Sequence, residues 1–327
     1  MSQQKSFSWL SVFFVRPAGR RIVLLAGLLA ASVVWPAQTL TEQQSRCLSK
    51  AHRHDKHGWI FLSVSGEPWE LGFQHGYLLA TDIQDGLRVT RKQWHYESGM
   101  EWEWLVAQVG KRFMSRIDKA NLAELKGLVD GLQAAGVTTS LAELVTYNGI
   151  IEWSGYWWPQ EKKKISDMPA PPVPESCSAF IATGGMTRDG GVVLGHNTMS
   201  SYETSFPNVI MDLAPSKGYR ILMQTSAGWI HSGTDFFITS AGLVGAETTI
   251  GDFEGFDGKG IPEFVRVRRA MQDAATIAEW CEIMKKGNNG GYANAWLLGD
   301  VNTGEIARLE LGLKYTAFEI KKDGYFT

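Results

Sequence analysis

Apolar residues recur every three or four positions through much of the first half of the chain, a spacing that predicts amphipathic helices. This spacing is present at residues 69–87 and 119–135. A third predicted helix covers residues 140–153, with Ser140 as its N-cap and Glu143 completing a capping box. The first half of the chain is therefore predicted to be mainly helical.

A second pattern, short runs of β-forming residues bounded by turn residues, predicts strands. One such run, residues 58–64, lies ahead of the helices, and a helical segment is predicted at 262–285. The remaining runs are separated by glycine-containing turns in the second half, at 178–183, 192–194, 209–213, 220–225, 236–239 and 295–298. The second half is therefore predicted to be mainly β-structure.

Neither pattern is present between residues 159 and 176. Three consecutive lysines are followed there by four prolines, which fix the backbone dihedral φ and remove N–H donors. We therefore predict an exposed linker without regular structure.

Residues 1–37 differ from the rest of the chain. Three arginines precede an uncharged apolar run at 22–35, which is short for a membrane span. A basic flank, a short apolar stretch and then a polar segment are typical of an export signal removed near Ala37. Because the bulky Trp35 lies two residues before Ala37, an uncleaved membrane anchor is the alternative. Either form predicts an exported protein, in a periplasm, an extracellular space or a lysosome-like lumen.

Composition narrows the class of protein. The chain has 327 residues of which 44% are hydrophobic, enough for a large buried core, so a disordered or fibrous protein is excluded. The formal net charge is -2, so no overall field points to a nucleic acid, and contact with a membrane surface is left open. The chemistry must therefore be sought in a local site.

The three cysteines are candidates for such a site in an exported protein, where free thiols are uncommon. Their odd number leaves at least one unpaired. Cys47 and Cys281 could form a disulfide, or Cys281 could be a small core residue. Cys177 is different, because it begins a predicted strand directly after the proline-rich linker and so places a thiol at the mouth of a sheet.

Cleavage of the Ser176–Cys177 peptide bond would arm this thiol. The new α-amine would titrate near ~7.7–8.0 and could act as a general base beside its own side chain. The same chemistry could drive self-cleavage: the thiolate attacks the Ser176 carbonyl, the acyl group moves from nitrogen to sulfur, and water hydrolyses the thioester.

Five motifs lie in the second half of the chain, at 177–180 (Cys-Ser-Ala-Phe), 195–198 (Gly-His-Asn-Thr), 232–239, 242–249 (containing Ala-Glu-Thr-Thr) and 290–296. Their sequences and their order resemble those of the phospholipase B-like family, and the resemblance covers residues 58–325. Two further motifs, around 72–76 and 124–131, resemble the pro-segment of the related isopenicillin-N acyltransferase-like self-processing cysteine enzymes.

The resemblance implies an α+β fold of the N-terminal-nucleophile hydrolase type, a four-layer αββα sandwich. It implies Cys177 as the nucleophile, with His196 and Asn197 orienting the α-amine and polarising the substrate carbonyl. Thr248 falls where related hydrolases keep an oxyanion-hole asparagine, and Asn294 is implied as a second oxyanion donor. No metal or organic cofactor is implied.

The expected organisation combines these observations. It comprises an export signal at 1–37, a helical pro-segment at 38–158, the processing linker at 159–176 and a β-rich catalytic chain at 177–327. The two cleaved chains are expected to remain associated. Because related chains continue further, the resemblance also implies that the catalytic chain is truncated at its C-terminus.

The function expected from the resemblance is hydrolysis of an amide or ester bond in an acylated small molecule or lipid, with acyl transfer left open. Met199 replaces the aromatic residue that usually follows the His-Asn-Thr triplet, and Ala295 replaces a glutamine. These departures motivate the alternative, a catalytically silent secreted protein that binds lipid or acyl groups.

Other polar and aromatic groups receive structural interpretations. The three histidines of residues 52–57 are interspersed with Arg53 and Lys56, which oppose a cation, so a solvated linker is predicted rather than a metal site. His75 is predicted to pack and hydrogen-bond, and His231 and Asp235 could line the site or belong to an ordinary loop. Six tryptophans are predicted in the core or a pocket wall, with the lining of an acyl-chain site as the alternative, namely Trp94, Trp102, Trp104, Trp153, Trp157 and Trp158.

Overall fold

Helices dominate the first half of the chain in the computed structural model, which describes residues 39–165, 177–199, 208–234 and 236–327. Eight α-helices lie before the proline-rich segment and two lie within the β-rich half. They are α1 (Glu42–Leu48), α2 (Pro68–Leu78), α3 (Ala80–Ser98), α4 (Trp102–Phe113), α5 (Lys119–Ala134), α6 (Leu141–Asn148), α7 (Ile150–Glu152), α8 (Trp158–Ile165), α9 (Glu263–Asp273) and α10 (Ile277–Lys285). A 3-10 turn at Met114–Arg116 follows α4, and a π-helical segment at Trp153–Trp157 joins α7 to α8.

The strands form two sheets. The larger contains nine strands in the order β1-β2-β5-β6-β7-β8-β9-β10-β11, and the smaller contains three in the order β12-β3-β4. The strands are β1 (His52–Lys56), β2 (Trp59–Gly66), β3 (Ser178–Gly184), β4 (Gly190–Asn197), β5 (Asn208–Pro215), β6 (Ile221–Ser226), β7 (Phe237–Thr239), β8 (Leu243–Thr249), β9 (Asn294–Asp300), β10 (Glu305–Leu311), β11 (Thr316–Lys321) and β12 (Gly324–Phe326).

The two sheets stack face to face. Ile181 of the small sheet packs with Leu297 and Ile306 of the large one in a buried cluster that also contains Phe326. The opposite face of the large sheet carries helices: α2 contacts β2 and β5, and α10 contacts β9 and β10. The predicted α+β class with two stacked sheets is therefore confirmed.

The outer face of the small sheet is different. Phe180, Val193 and Tyr325 are all exposed there. The described residues thus form a helical layer and two sheet layers, and the second helical layer of the implied sandwich is not seen among them.

Helices α2 and α5 approach each other closely through glycines. A Cβ atom at Gly72 would lie 1.8 Å from the carbonyl oxygen of Glu124, and one at Gly127 would lie 2.1 Å from that of Trp69. Only hydrogen atoms fit at these points, so the two glycine-containing motifs bring the two helix backbones into direct contact.

Several local predictions are confirmed and others need correction. Ser140 caps α6 and accepts the backbone N–H of Glu143, as predicted. The predicted helix at 69–87 is two helices, because the backbone of the buried Leu79 leaves the helical region between them. The predicted helix at 262–285 is also two, because the side chain of Thr276 caps the start of α10.

Two predicted linkers are regular structure instead. The lysine-rich start of the 159–176 segment lies in α8, and residues 166–176 lie outside the described residues. The histidine-containing segment 52–57 is not a solvated linker but mostly the edge strand β1, paired antiparallel with β2. Arg53 of this strand donates hydrogen bonds to Asp55 and Asp82, which ties the strand to α3.

All described residues belong to one compact unit. Among them, no helix combines the length and the apolar character needed to cross a membrane. The predicted export signal at 1–37 lies outside the described residues.

Candidate active site

Cys177 lies immediately before β3, at the end of the small sheet. The antiparallel register of β3 and β4 pairs Ser178 with Asn197 and Ala179 with His196. His196, 19 positions away in the sequence, is therefore placed beside Cys177 by strand pairing.

A third side chain completes this cluster. The Cys177 Sγ, a ring nitrogen of His196 and a carboxylate oxygen of Glu247 all lie within 4.8 Å of one another. Glu247 belongs to β8 of the large sheet and is fully buried. The stacking of the two sheets thus brings a thiol, an imidazole and a carboxylate together.

The surroundings of Cys177 keep its thiol protonated. Burial raises the pKa of this thiol, and the negative charge of the nearby Glu247 carboxylate raises it further, while the backbone of Met199 acts in the opposite direction. A thiol of this kind must lose its proton to a base before it can act as a nucleophile.

His196 is held as a neutral imidazole. Burial lowers its pKa, and the neighbouring backbone of Glu247 opposes that shift. The Thr198 hydroxyl lies 3.3 Å from its Nδ1 atom. A neutral ring can accept or relay a proton, which suits a residue beside a nucleophile.

Tyr292 holds the carboxylate of Glu247. Its hydroxyl donates a hydrogen bond of 2.5 Å to Glu247 Oε1 and lies 3.0 Å from the Thr249 hydroxyl. Thr249 is two positions after Glu247 on β8 and is paired with Asn294 on β9. Tyr292, which also contacts Thr249, therefore sets the orientation of the Glu247 carboxylate.

A buried polar network lies behind this cluster. The pKa of Glu263 is raised by burial and by the charge of Glu247, whereas Arg266 opposes the shift. Glu152 accepts hydrogen bonds from the backbone N–H of Glu263 at 2.7 Å and from the Asn289 amide at 2.5 Å. Three carboxyl groups and one guanidinium thus share an environment that is almost closed to water.

The remaining residues implied by the resemblance lie around the cluster. Asn197 ends β4 and donates to the Ser178 hydroxyl at 3.4 Å. Thr248 follows Glu247 on β8, and Asn294 begins β9. Asn294 is fully buried, and its amide makes no hydrogen bond with the described residues. An unsatisfied amide of this kind is suited to receive a substrate oxygen.

The other polar residues considered in the sequence analysis are not part of the described cluster. His231 is a core residue stacked on Trp229, with ring centroids 5.3 Å apart. His75 is also buried, and its Nε2 accepts the backbone N–H of Gly228 at 2.9 Å, the packing and hydrogen-bonding role that was predicted. Ser176 and Asp235 lie outside the described residues.

The aromatic and sulfur-containing candidates are structural. The six tryptophans pack against one another in the helical layer, with Trp94 and Trp158 centroids 4.9 Å apart. Cys47 and Cys281 are both free and buried, in two different apolar clusters. Cys281 is therefore a core residue and not a disulfide partner of Cys47.

Glu247 and Tyr292 were missed by the sequence reasoning. Glu247 occupies a fully buried position on β8, next to the buried Gly245 and Ala246, and a carboxylate is rare at such a position in a strand that has only a structural role. The sequence therefore contained enough information to mark Glu247 as a candidate site residue. Tyr292 had no such signal, because its role depends on contact with Glu247.

The cluster of Cys177, His196 and Glu247 is also of the composition that binds cations, and it is the only such group among the described residues. However, the surroundings of Cys177 raise the pKa of its thiol, and a thiol must lose its proton before it can bind a metal ion. The arrangement is therefore better described as an acid–base pair next to a nucleophile.

Comparison with known proteins gives one family. The family model for Phospholipase B matches residues 116–311. The phospholipase B-like 2 protein of Bos taurus is 31% identical over 144 residues, which cover 38% of this chain and 24% of the relative. That of Mus musculus is 30% identical over 143 residues with the same coverage. The chain thus matches about a quarter of the length of these relatives.

More distant likenesses extend further along the chain. An uncharacterized protein of Archaeoglobus fulgidus is 22% identical over 268 residues, covering 74% of this chain and 41% of the relative. Among solved structures, a variant of conjugated bile acid hydrolase from Clostridium perfringens is 16% identical with a TM-score of 0.34, covering 46% of this chain and 53% of the other. Penicillin V acylase from Agrobacterium tumefaciens is 14% identical with a TM-score of 0.24, covering 46% and 44%. TM-scores this low support no functional argument.

Proposed function

Because the chain belongs to the phospholipase B family, we propose that it is a hydrolase of amide or ester bonds whose nucleophile is Cys177, freed by self-cleavage of the Ser176–Cys177 bond. The observation that carries this proposal is the convergence of the Cys177 thiol, the His196 ring and the Glu247 carboxylate within 4.8 Å. Convergence of a nucleophile with two groups able to handle protons is the arrangement that acyl transfer requires.

In the mature protein the α-amine of Cys177 serves as the general base. It takes the thiol proton, the thiolate attacks the acyl carbon, and the protonated amine then protonates the leaving group. Asn294 and Thr248 donate hydrogen bonds to the oxyanion, and His196 and Asn197 orient the amine. Water then hydrolyses the acyl-enzyme.

The substrate class follows from the maturation step. A site that cleaves its own peptide bond stabilises the tetrahedral intermediate of an amide, so acyl amides are favoured over esters. The substrate is an acylated small molecule or lipid outside the cytoplasm, which agrees with an export signal at residues 1–37.

The two chains produced by cleavage remain associated. One buried cluster contains Leu128 and Leu144 from before the cleavage point together with Ile221 and Leu298 from after it. Separating the chains would expose this shared core to water, at a cost of ~25 cal/mol for each Å² of apolar surface.

Intact-mass measurement of the purified full chain tests the proposal. We expect two chains that meet at Ser176/Cys177, and a single uncut chain for Cys177→Ala, which lacks the nucleophile. Mature protein should then release the acyl group from N-acyl amino acids faster than from lysophospholipids, and a thiol-directed acylating probe should label Cys177.

The alternative function, a catalytically silent protein that binds lipid or acyl groups, predicts the opposite results. If the wild-type chain stays whole and Cys177 resists the acylating probe, the hydrolase assignment is wrong. A cut chain that labels at Cys177 but prefers lysophospholipids would retain the mechanism and overturn only the preference for amides.

A further inference from the structure

Self-cleavage raises a chemical problem that the mature mechanism does not solve. In the intact chain the nitrogen of Cys177 belongs to a peptide bond, so it carries no lone pair able to accept a proton at neutral pH. The base of the mature enzyme therefore does not exist until the first cleavage is complete. The inference below rests on the proposed self-cleavage and concerns only that step.

We propose that the carboxylate of Glu247 is the base that removes the thiol proton of Cys177 in the intact chain. A carboxylate oxygen of Glu247 lies within 4.8 Å of Sγ, close enough for its negative charge to act on the thiol. Because the two groups are direct neighbours, proton transfer between them needs only a small movement of the side chains.

The carboxylate is also oriented and shielded for this role. The Tyr292 hydroxyl donates to its Oε1 atom at 2.5 Å. Glu247 is fully buried, so the proton passes between the two side chains and is not lost to bulk water. Tyr292 acts here as a positioning residue, because it contacts the base and not the scissile bond.

His196 is less suited to be this base, although it lies in the same cluster. Its Nδ1 atom is 3.3 Å from the Thr198 hydroxyl, and burial lowers its pKa, which makes the ring a weaker base. The Glu247 carboxylate is instead held in a fixed orientation by the Tyr292 hydroxyl. The geometry therefore favours Glu247 for the proton transfer and leaves His196 to orient the groups.

Self-cleavage proceeds as a shift of the acyl group from nitrogen to sulfur, followed by hydrolysis of the thioester. Glu247 takes the thiol proton, and the sulfur forms a bond to the Ser176 carbonyl carbon. The carbon–nitrogen bond of Cys177 then breaks, and its nitrogen receives the proton back from Glu247 to become the α-amine. Water cleaves the thioester, leaving a carboxylic acid on Ser176 and a thiol on Cys177.

Glu247→Gln tests this assignment, since it keeps the size of the side chain and removes the basic oxygen. We expect the uncut fraction of this variant to persist, with self-cleavage at least 100-fold slower than in wild type. Glu247→Asp, which keeps a carboxylate on a shorter side chain, should cleave at an intermediate rate. Glu97→Gln, which removes an exposed carboxylate of α3, should cleave like wild type. Circular dichroism and thermal unfolding check that each variant folds.

A second measurement separates maturation from catalysis. Residues 173–176 are replaced in the full chain by Ile-Glu-Gly-Arg, so that factor Xa liberates Cys177 as the first residue of the second chain. In the Glu247→Gln background, factor Xa treatment should raise labelling by the acylating probe at least tenfold over the untreated protein, because the α-amine then replaces the missing base.

The outcomes distinguish this inference from the proposed function. Self-cleavage of Glu247→Gln at the wild-type rate would overturn the role of Glu247 and leave the hydrolase intact. A folded Glu247→Gln protein that stays unreactive after factor Xa cleavage would overturn the restriction of this role to maturation, because Glu247 would then be required in the mature site as well. Failure of the wild-type chain itself to cleave would instead refute the proposed function.

Discussion

Glu152 should make the stability of this protein decrease as the pH rises above neutral. Its side chain is 1% exposed, and its pKa is raised to about 8, first by burial and then by the charge of Glu263. Hydrogen bonds from Asn289 and the charge of Arg266 oppose this shift without cancelling it.

The sign follows from proton binding in the two states. Between a pH of about 4.5 and 8, the folded chain keeps a proton on Glu152 that the unfolded chain has released. The stabilisation is complete below the unfolded pKa and is lost as the pH rises through the folded pKa. At about 1.4 kcal/mol for each pH unit, a rise from pH 6.5 to 8 removes about 2 kcal/mol of the free energy of unfolding.

The pH window is chosen to limit the contribution of the buried histidines. Burial lowers the pKa of both His75 and His231 to about 3. Their unfolded forms take up protons below a pH of about 6.5, so their stabilising contribution is lost as the pH falls, the opposite direction. At pH 6.5 the unfolded histidines are still about half protonated, and this contribution fades as the pH rises to 8. It is the same in the two proteins compared below, so it cancels in their difference.

Urea unfolding followed by circular dichroism at pH 6.5, 7.25 and 8.0 measures the effect. The Cys177→Ala background keeps the chain uncut, and Glu152→Gln removes the titrating group while preserving its shape. The reference protein should lose about 2 kcal/mol more than the Glu152→Gln protein across this range. Since Glu263 is present in both, parallel curves for the two proteins would refute the assignment to Glu152.

Three further predictions concern packing and the site. Gly72→Ala should lower the free energy of unfolding by about 2 kcal/mol or more in the same assay, because the added Cβ would lie 1.8 Å from a backbone oxygen. In the control Gly110→Ala the nearest atom is 3.7 Å away, so this variant should raise the free energy of unfolding by up to about 1 kcal/mol. Equal effects of the two substitutions would contradict this prediction. Iodoacetamide should modify Cys177 of the folded protein well before the two buried cysteines, as peptide mass mapping would show, and equal labelling of all three would argue against their burial. Tyr292→Phe should slow self-cleavage about tenfold or more through loss of its hydrogen bond to Glu247, and an unchanged rate by intact mass would exclude the positioning role.

Much of the local structure could be predicted because the information lies within a few neighbouring residues. The cap at Ser140 depends on contacts three positions apart, and the strand beginning at Ser178 depends on its own β-forming side chains. The break at Leu79 could not be predicted from spacing, because apolar periodicity continues through it. Likewise, the lysine-rich residues of α8 give no apolar pattern of their own, and they follow directly from the buried π-helical segment.

The candidate site, too, could be predicted only in part from the sequence. The place of Cys177 after a proline-rich linker, together with the motif containing His196, identified two members of the cluster from the sequence. Glu247 joined them only in the tertiary structure, because β8 belongs to the other sheet and meets Cys177 through the stacking of the two sheets. Propensity and spacing act over a few residues, whereas the contact of residues 177, 196 and 247 depends on strand register and sheet packing, which are settled by the burial of the whole core.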